Sequence, residues 1–174
     1  REFPQITFDF TAKIEQLLQH KDLLAEFAAL VCIFIISGVE SLNDTVLHHL
    51  DKGHTRADVV RAIALVHGTG IALRSSLVPF TPWETLESYV DLFNFVEQHQ
   101  LIDSIDPVHY SIRLLVPPGS LLLSETSMIP YLGPLISESF AYQWTHPDPR
   151  MDLLQIKISK TVEAMAEEDP AVTF

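Results

Sequence analysis

Short apolar runs alternate with longer amphipathic stretches along the first two thirds of the chain. Ile6 to Phe10 reads as a strand, with Thr7 and Asp9 on one face and Ile6, Phe8 and Phe10 on the other. Thr11 is placed to cap a helix in which Ile14, Leu17, Leu18, Leu24, Phe27 and Ala28 return at helical spacing. Cys32 to Val39, apolar on both faces, predicts a buried second strand. Asn43 to Leu50 follows as a short helix stopped at Gly53. Thr55 then opens a helix through Val59, Ile63 and Val66 that ends at Gly68 or Gly70. Ile71 to Phe80 is the third strand, and Thr81-Pro82 opens a helix carrying Trp83, Leu86, Tyr89, Val90, Phe93 and Val96. His109 to Val116 reads as a fourth strand closed by Pro117-Pro118-Gly119. Beyond it the pattern weakens, with prolines at 130 and 134, and the last clear helix runs from about Met151 to Ala166.

Strands joined by long helical connections pair in parallel. The expected fold class is therefore α/β. It is a parallel-stranded segment of a TIM-type barrel, about four strands with crossover helices, in residues 1–123, followed by a helical extension in 124–174. Pattern alone leaves an open sheet and part of a barrel both standing. The ends are abrupt: Arg1-Glu2-Phe3-Pro4 runs straight into a strand, and Asp169-Pro170 looks like a helix start four residues before the last residue. An excised segment is expected.

Composition narrows the function. Hydrophobic residues make up 47% of the 174, enough for a sizeable core. Against 23 Asp and Glu stand 11 Lys and Arg, a net charge of -12, which argues against nucleic-acid and anionic-membrane partners because phosphate attraction needs a basic surface. The single cysteine excludes an internal disulfide or a CxxC zinc site within this sequence and fits a reducing cytoplasm. The apolar run Leu30 to Gly38 falls far short of the roughly 20 residues that cross a bilayer. The eight histidines show no ligand spacing, and no metal site is expected. There is no Gly-rich phosphate loop and no nucleophile elbow.

The candidate chemistry lies in the strands. Thr7 and Asp9, Arg74 and Ser76, and Ser111 and Arg113 form i, i+2 pairs, each pointing one way. A buried arginine keeps its proton and must meet a carboxylate or a ligand anion. Two readings stand: a polar lumen around a ligand, or Asp9 paired internally with Arg74 or Arg113. Glu40 and Ser41 follow the second strand at its C-terminal end, the catalytic side of α/β barrels; Ser41 could equally cap the next helix. An acid–base pair of Asp9 and Glu40 in an unrelated barrel enzyme is a further reading.

The run Gly38-Val39-Glu40-Ser41-Leu42-Asn43-Asp44, with Val46-Leu47 and Leu50-Asp51-Lys52-Gly53-His54-Thr55, resembles the radical S-adenosylmethionine (radical SAM) superfamily, whose fourth barrel strand commonly ends in a GVES- or GVQS-type turn. Ala57 to Pro82 is similar to the following helix and fifth strand. The stretches Leu77-Val-Pro-Phe-Thr-Pro-Trp-Glu-Thr-Leu-Glu and Asp106-Pro-Val-His-Tyr-Ser-Ile-Arg-Leu-Leu-Val-Pro-Pro-Gly-Ser resemble a bacterial radical SAM group with a cysteine- or selenocysteine-containing C-terminal tail. The resemblance covers nearly the whole chain. It lacks the CxxxCxxC loop that holds the family's 4Fe–4S cluster, so no cluster is expected in this chain.

The resemblance implies the C-terminal half of a radical SAM barrel, inactive alone. The whole family protein cleaves S-adenosylmethionine (SAM) reductively to a 5′-deoxyadenosyl radical that acts on an unknown substrate. It further implies a cofactor half-pocket of Glu40, Ser41, Lys52 and Ser76. Glu40 would lie near the ribose and methionine part of SAM, Lys52 near its carboxylate and Ser76 among its polar contacts. Substrate contacts are expected from Asp9, Arg74, Ser111 and Arg113, with Arg113 for an anionic group. The alternative is a non-catalytic α/β binding module. Exposed sheet edges further predict self-association, or pairing with a missing N-terminal half.

Overall fold

The computed structural model describes Phe3 and residues 5–168. The Asp169-Pro170 start lies outside these residues, as do Arg1, Glu2 and Pro4. Three strands, β1 (Phe8–Thr11), β2 (Cys32–Glu40) and β3 (Ala72–Leu77), form a parallel sheet in sequence order. Between β1 and β2 run two short helices, α1 (Ile14–Gln19) and α2 (Leu24–Ala29); between β2 and β3 run α3 (Asp44–His49) and α4 (Arg56–His67). Helix α5 (Leu86–Gln98) follows β3.

The helices start where local hydrogen bonding dictates. Asn43 caps α3 by accepting the Thr45 N–H. Thr55 and Asp58 close a reciprocal capping box on α4, and Thr85 and Ser88 do the same on α5. Thr81-Pro82 therefore does not open α5, and Trp83 lies before the helix. Thr11 ends β1, and Lys13 occupies the N-cap of α1.

One sheet face is covered. Ile35 and Val39 of β2 and Leu73 and Leu77 of β3 are buried in one core with Ile14 and Leu17 of α1, Val59, Ile63 and Val66 of α4, and Leu92 and Phe95 of α5. The other face carries Asp9, Phe34, Ile36, Gly38, Arg74 and Ser76, in the registers Asp9↔Phe34, Ile36↔Arg74 and Gly38↔Ser76. Asp9, Ile36 and Arg74 are exposed there. Asp9, Arg74 and Ser76 thus share the uncovered side.

The stretch read as a fourth strand differs. Asp106 accepts the Val108 N–H and starts a 3-10 turn over Pro107–Tyr110, so the chain reaches β3's line late. It then makes an isolated parallel bridge, Phe80↔Arg113. Its alternating pattern suits a strand, but the Asp106-capped turn takes the chain to Tyr110. Pairing with β3's line is confined to Phe80, whose N–H donates to the Ile112 carbonyl and whose carbonyl accepts the Leu114 N–H.

The extension holds an antiparallel hairpin as well as a helix. Strands β4 (Leu132–Ile136) and β5 (Ala141–Trp144) pair with a register shift between Leu132 and Leu135, beside Pro134. Helix α6 (Pro149–Glu168) seats Met151 against Phe80 and Tyr89, and Trp144 packs with Val116 and Met128. No helix among the described residues is long and apolar enough to cross a membrane.

Candidate functional site

The C-terminal end of β2 is shaped around Glu40. The ladder to β3 slips between Gly38 and Glu40, and Glu40 takes a left-handed backbone at φ 65°. Its carbonyl accepts the Val78 N–H at 2.8 Å, which holds the kink to the neighbouring strand. A side-chain residue in that conformation is strained, and such strain collects at functional positions. Lys52 Nζ meets Glu40 Oε1 at 3.1 Å, and both side chains remain about one fifth exposed. A Cβ at position 38 would sit 2.7 Å from that oxygen and 3.3 Å from the ammonium, so only glycine leaves room for the pair. Ser76, opposite Gly38, lies on the same side of the sheet.

Glu40, Lys52 and Ser76 therefore come together at one end of the sheet. Ser41 turns elsewhere. Its hydroxyl donates to Glu84 Oε2 at 2.8 Å in the interior and accepts the Asn43 N–H at 3.0 Å. Glu84 is buried, and that burial pushes its carboxyl up from the ordinary value despite bonding from Ser88, Ser41 and Asn43. A cavity of about 280 Å³ opens beside Glu40, Ser41 and Glu84, floored by Leu77, Tyr89 and Leu92. Glu84 escaped the sequence reading because nothing local marks a glutamate after Thr81-Pro82-Trp83 as buried; its partner Ser41 is 43 residues away.

The substrate candidates divide. Arg113 donates to Asp152 Oδ1 at 2.7 Å and to the Trp144 carbonyl at 2.8 Å, with its guanidinium 3.5 Å from the Trp144 ring centre. That set fastens α6 and the hairpin to the parallel sheet and already gives the guanidinium a carboxylate partner. The Ser111 hydroxyl donates to the Val108 carbonyl at 2.9 Å. Among the described residues neither Arg74 nor Arg113 is ion-paired with Asp9. Asp9 lies opposite Phe34, six residues before Glu40 on β2. At about 3.3 Å per residue that separates the carboxylates by roughly 20 Å, too far for an acid–base pair.

Cys32 is buried, and its thiol donates to the Phe34 carbonyl at 3.4 Å. Burial and the nearby Asp9 carboxylate push the thiol up, against the carbonyl's opposing pull. Among the described residues, no three His, Cys, Asp or Glu gather closely enough to hold a metal ion. The donor set therefore does not fit an iron–sulfur cluster on this chain.

No protein-family model matches the chain, and no curated protein does. Among solved structures it is similar to the cobalamin-dependent S-adenosylmethionine radical enzyme OxsB. The form with aqua-cobalamin and S-adenosylmethionine bound matches over 87% of this chain at 16% identity with a TM-score of 0.64. The apo, selenomethionine-labelled form gives 0.65. A weaker likeness, with a TM-score of 0.49, is to Elp3 of the archaeon Methanocaldococcus infernus, 16% identical over 66% of this chain and 26% of that one. The chain spans 28% of the length of OxsB. The fold is that of a segment of this cobalamin-dependent radical enzyme.

Proposed function

We propose that this chain forms the SAM- and substrate-facing wall of a radical SAM protein. The observation that carries the reading is the Glu40–Lys52 pair over Gly38, at the C-terminal end of a parallel strand and on the helix-free face. Parallel α/β sheets take their ligands at that end. The likeness to an enzyme solved with S-adenosylmethionine bound supports the same placement.

Each residue has a task that its chemistry fits. Glu40 Oε1 holds Lys52, and Oε2 has no hydrogen-bond donor among the described residues, leaving it to accept the ribose hydroxyls. The Lys52 ammonium, already positioned by Glu40, takes the SAM carboxylate. Ser76 supplies a hydroxyl one residue below. Ser41 acts from the interior, through Glu84 and the start of α3, to fix the turn that carries Glu40. The radical chemistry of a whole radical SAM protein requires a cluster on three cysteines, and this chain has one.

Calorimetry with SAM and S-adenosylhomocysteine tests the reading. Weak binding is expected, with a dissociation constant no better than roughly 100 μM, since one wall supplies only part of the contacts. Glu40→Ala abolishes it. Tight binding that survives Glu40→Ala places the site elsewhere.

A further inference from the structure

Five arginines lie among the described residues, and four are ion-paired: Arg56 with Asp91, Arg61 with Asp58, Arg113 with Asp152 and Arg150 with Asp148. Arg74 is the exception. Its guanidinium packs 4.4 Å from the centre of the Phe34 ring and meets no carboxylate among the described residues. Lys13, Lys21, Lys157 and Lys160 also meet no carboxylate there, but Arg74 alone among the described arginines leaves a planar guanidinium open to one.

Arg74 lines a cleft of about 410 Å³ between the free edge of β3 and the turns at Ile102–Ser104 and Pro107–Tyr110. The cleft exists because the next stretch of chain joins β3's line only at Phe80↔Arg113. The Leu77 N–H faces this side, donating to His109 Nδ1 at 3.4 Å. By the alternation of a parallel ladder, the Ser75 N–H faces it too. With Nδ1 accepting the Leu77 N–H, the Nε2–H of His109 is a further donor. Ile36, Ile105 and Pro107 supply apolar wall, while Asp103 and Asp106 disfavour a dianion. Arg74 pairs with Ile36, three residues short of Leu77, about 10 Å along the sheet from the Glu40 level.

We propose that this cleft binds a small monocarboxylic acid with an apolar body, its carboxylate held by Arg74. A planar guanidinium with an aromatic ring beneath it matches a carboxylate in two-point contact. The site stands independently of SAM binding. If both hold, the acid is the substrate, seated one level below the cofactor.

The test is an amide-resolved NMR titration of the full chain with phenylacetate. Phenylacetamide and inorganic phosphate are the comparison ligands, and Arg74→Gln and Arg74→Lys the variants. Saturable shifts are expected at Arg74, Ser75, Ser76 and His109, with a dissociation constant of about 1 mM. Arg74→Gln, and phenylacetamide on the wild type, should each bind at least about tenfold more weakly, with Arg74→Lys intermediate. Phosphate should bind more weakly than phenylacetate. SAM affinity should be unchanged in Arg74→Gln. No saturation in the millimolar range, equal binding by Arg74→Gln or the amide, or phosphate as tight as phenylacetate would overturn the proposal. Arg74-dependent phenylacetate binding without any SAM binding would support it while removing the SAM reading.

Discussion

Glu40 joins backbone strain, an ion pair and an exposed carboxylate oxygen in one residue. Its backbone and side chain can be tested separately. Glu40→Gly should be more stable than Glu40→Ala by about 1 kcal/mol, because glycine takes the left-handed conformation without a Cβ penalty. Both should lose SAM binding. Equal stability by denaturant titration would show that the kink relaxes at no cost. Glu84 offers a second test, through pH. Its carboxyl is raised by burial, so the folded state holds the proton more tightly than the unfolded chain. That stabilisation is present below the ordinary glutamate value of about 4.3 and is lost as pH rises through the folded value. Glu84→Gln should flatten this fall in a series of melts. An unchanged profile would mean that Glu84 is not the group responsible.

Among the elements, α4 shows how much of the fold is written locally. Thr55 was readable as a helix start, and the capping box it forms with Asp58 holds the Asp58 carboxyl down at about 2, chiefly through Thr55 and Arg61. Thr55→Ala should cost about 1 kcal/mol in chemical unfolding, and a change within error would show the box to be idle. The apolar run of β2 was legible as a strand, but not its burial: it reads as buried on both faces, whereas Ile33 is exposed, as is Ile36 on the side without helices. The stretch from His109 to Val116 was not legible. Its alternation satisfies a strand, yet the Asp106-capped turn takes up its first residues and leaves a single bridge at Arg113. The hairpin β4–β5 was hidden by Gly133 and Pro134, which break the alternating signal of an edge strand. At the site, Lys52 meets Glu40, and Ser76 lies opposite Gly38 on the same side of the sheet; these three were named by the resemblance and not by any local spacing. The inward turn of Ser41 and the capture of Arg113 by Asp152 depend on contacts 43 and 39 residues distant, which no local pattern records.

At the scale of the molecule, the described residues form three parallel strands with one face under helices and the other carrying Asp9, Ile36, Arg74 and Ser76. The outer edge of β1 has no strand beside it among the described residues, and the β3 edge is bridged only beyond Leu77, at Phe80. Such edges and the exposed Ile33 and Ile36 favour self-association. Light scattering over a dilution series should show mass rising with concentration; a compact, thermally robust monomer throughout would contradict this. Incubation with iron, sulfide, SAM and dithionite should release no 5′-deoxyadenosine, because one buried cysteine cannot ligate a cluster. The most direct test of the central claim is SAM titrated into the isotope-labelled chain and followed by amide NMR. Shifts that saturate at Gly38, Glu40, Lys52 and Ser76, and vanish in Glu40→Ala, are the expected result. Saturation centred away from the end of β2, or no change at these four residues, would contradict it.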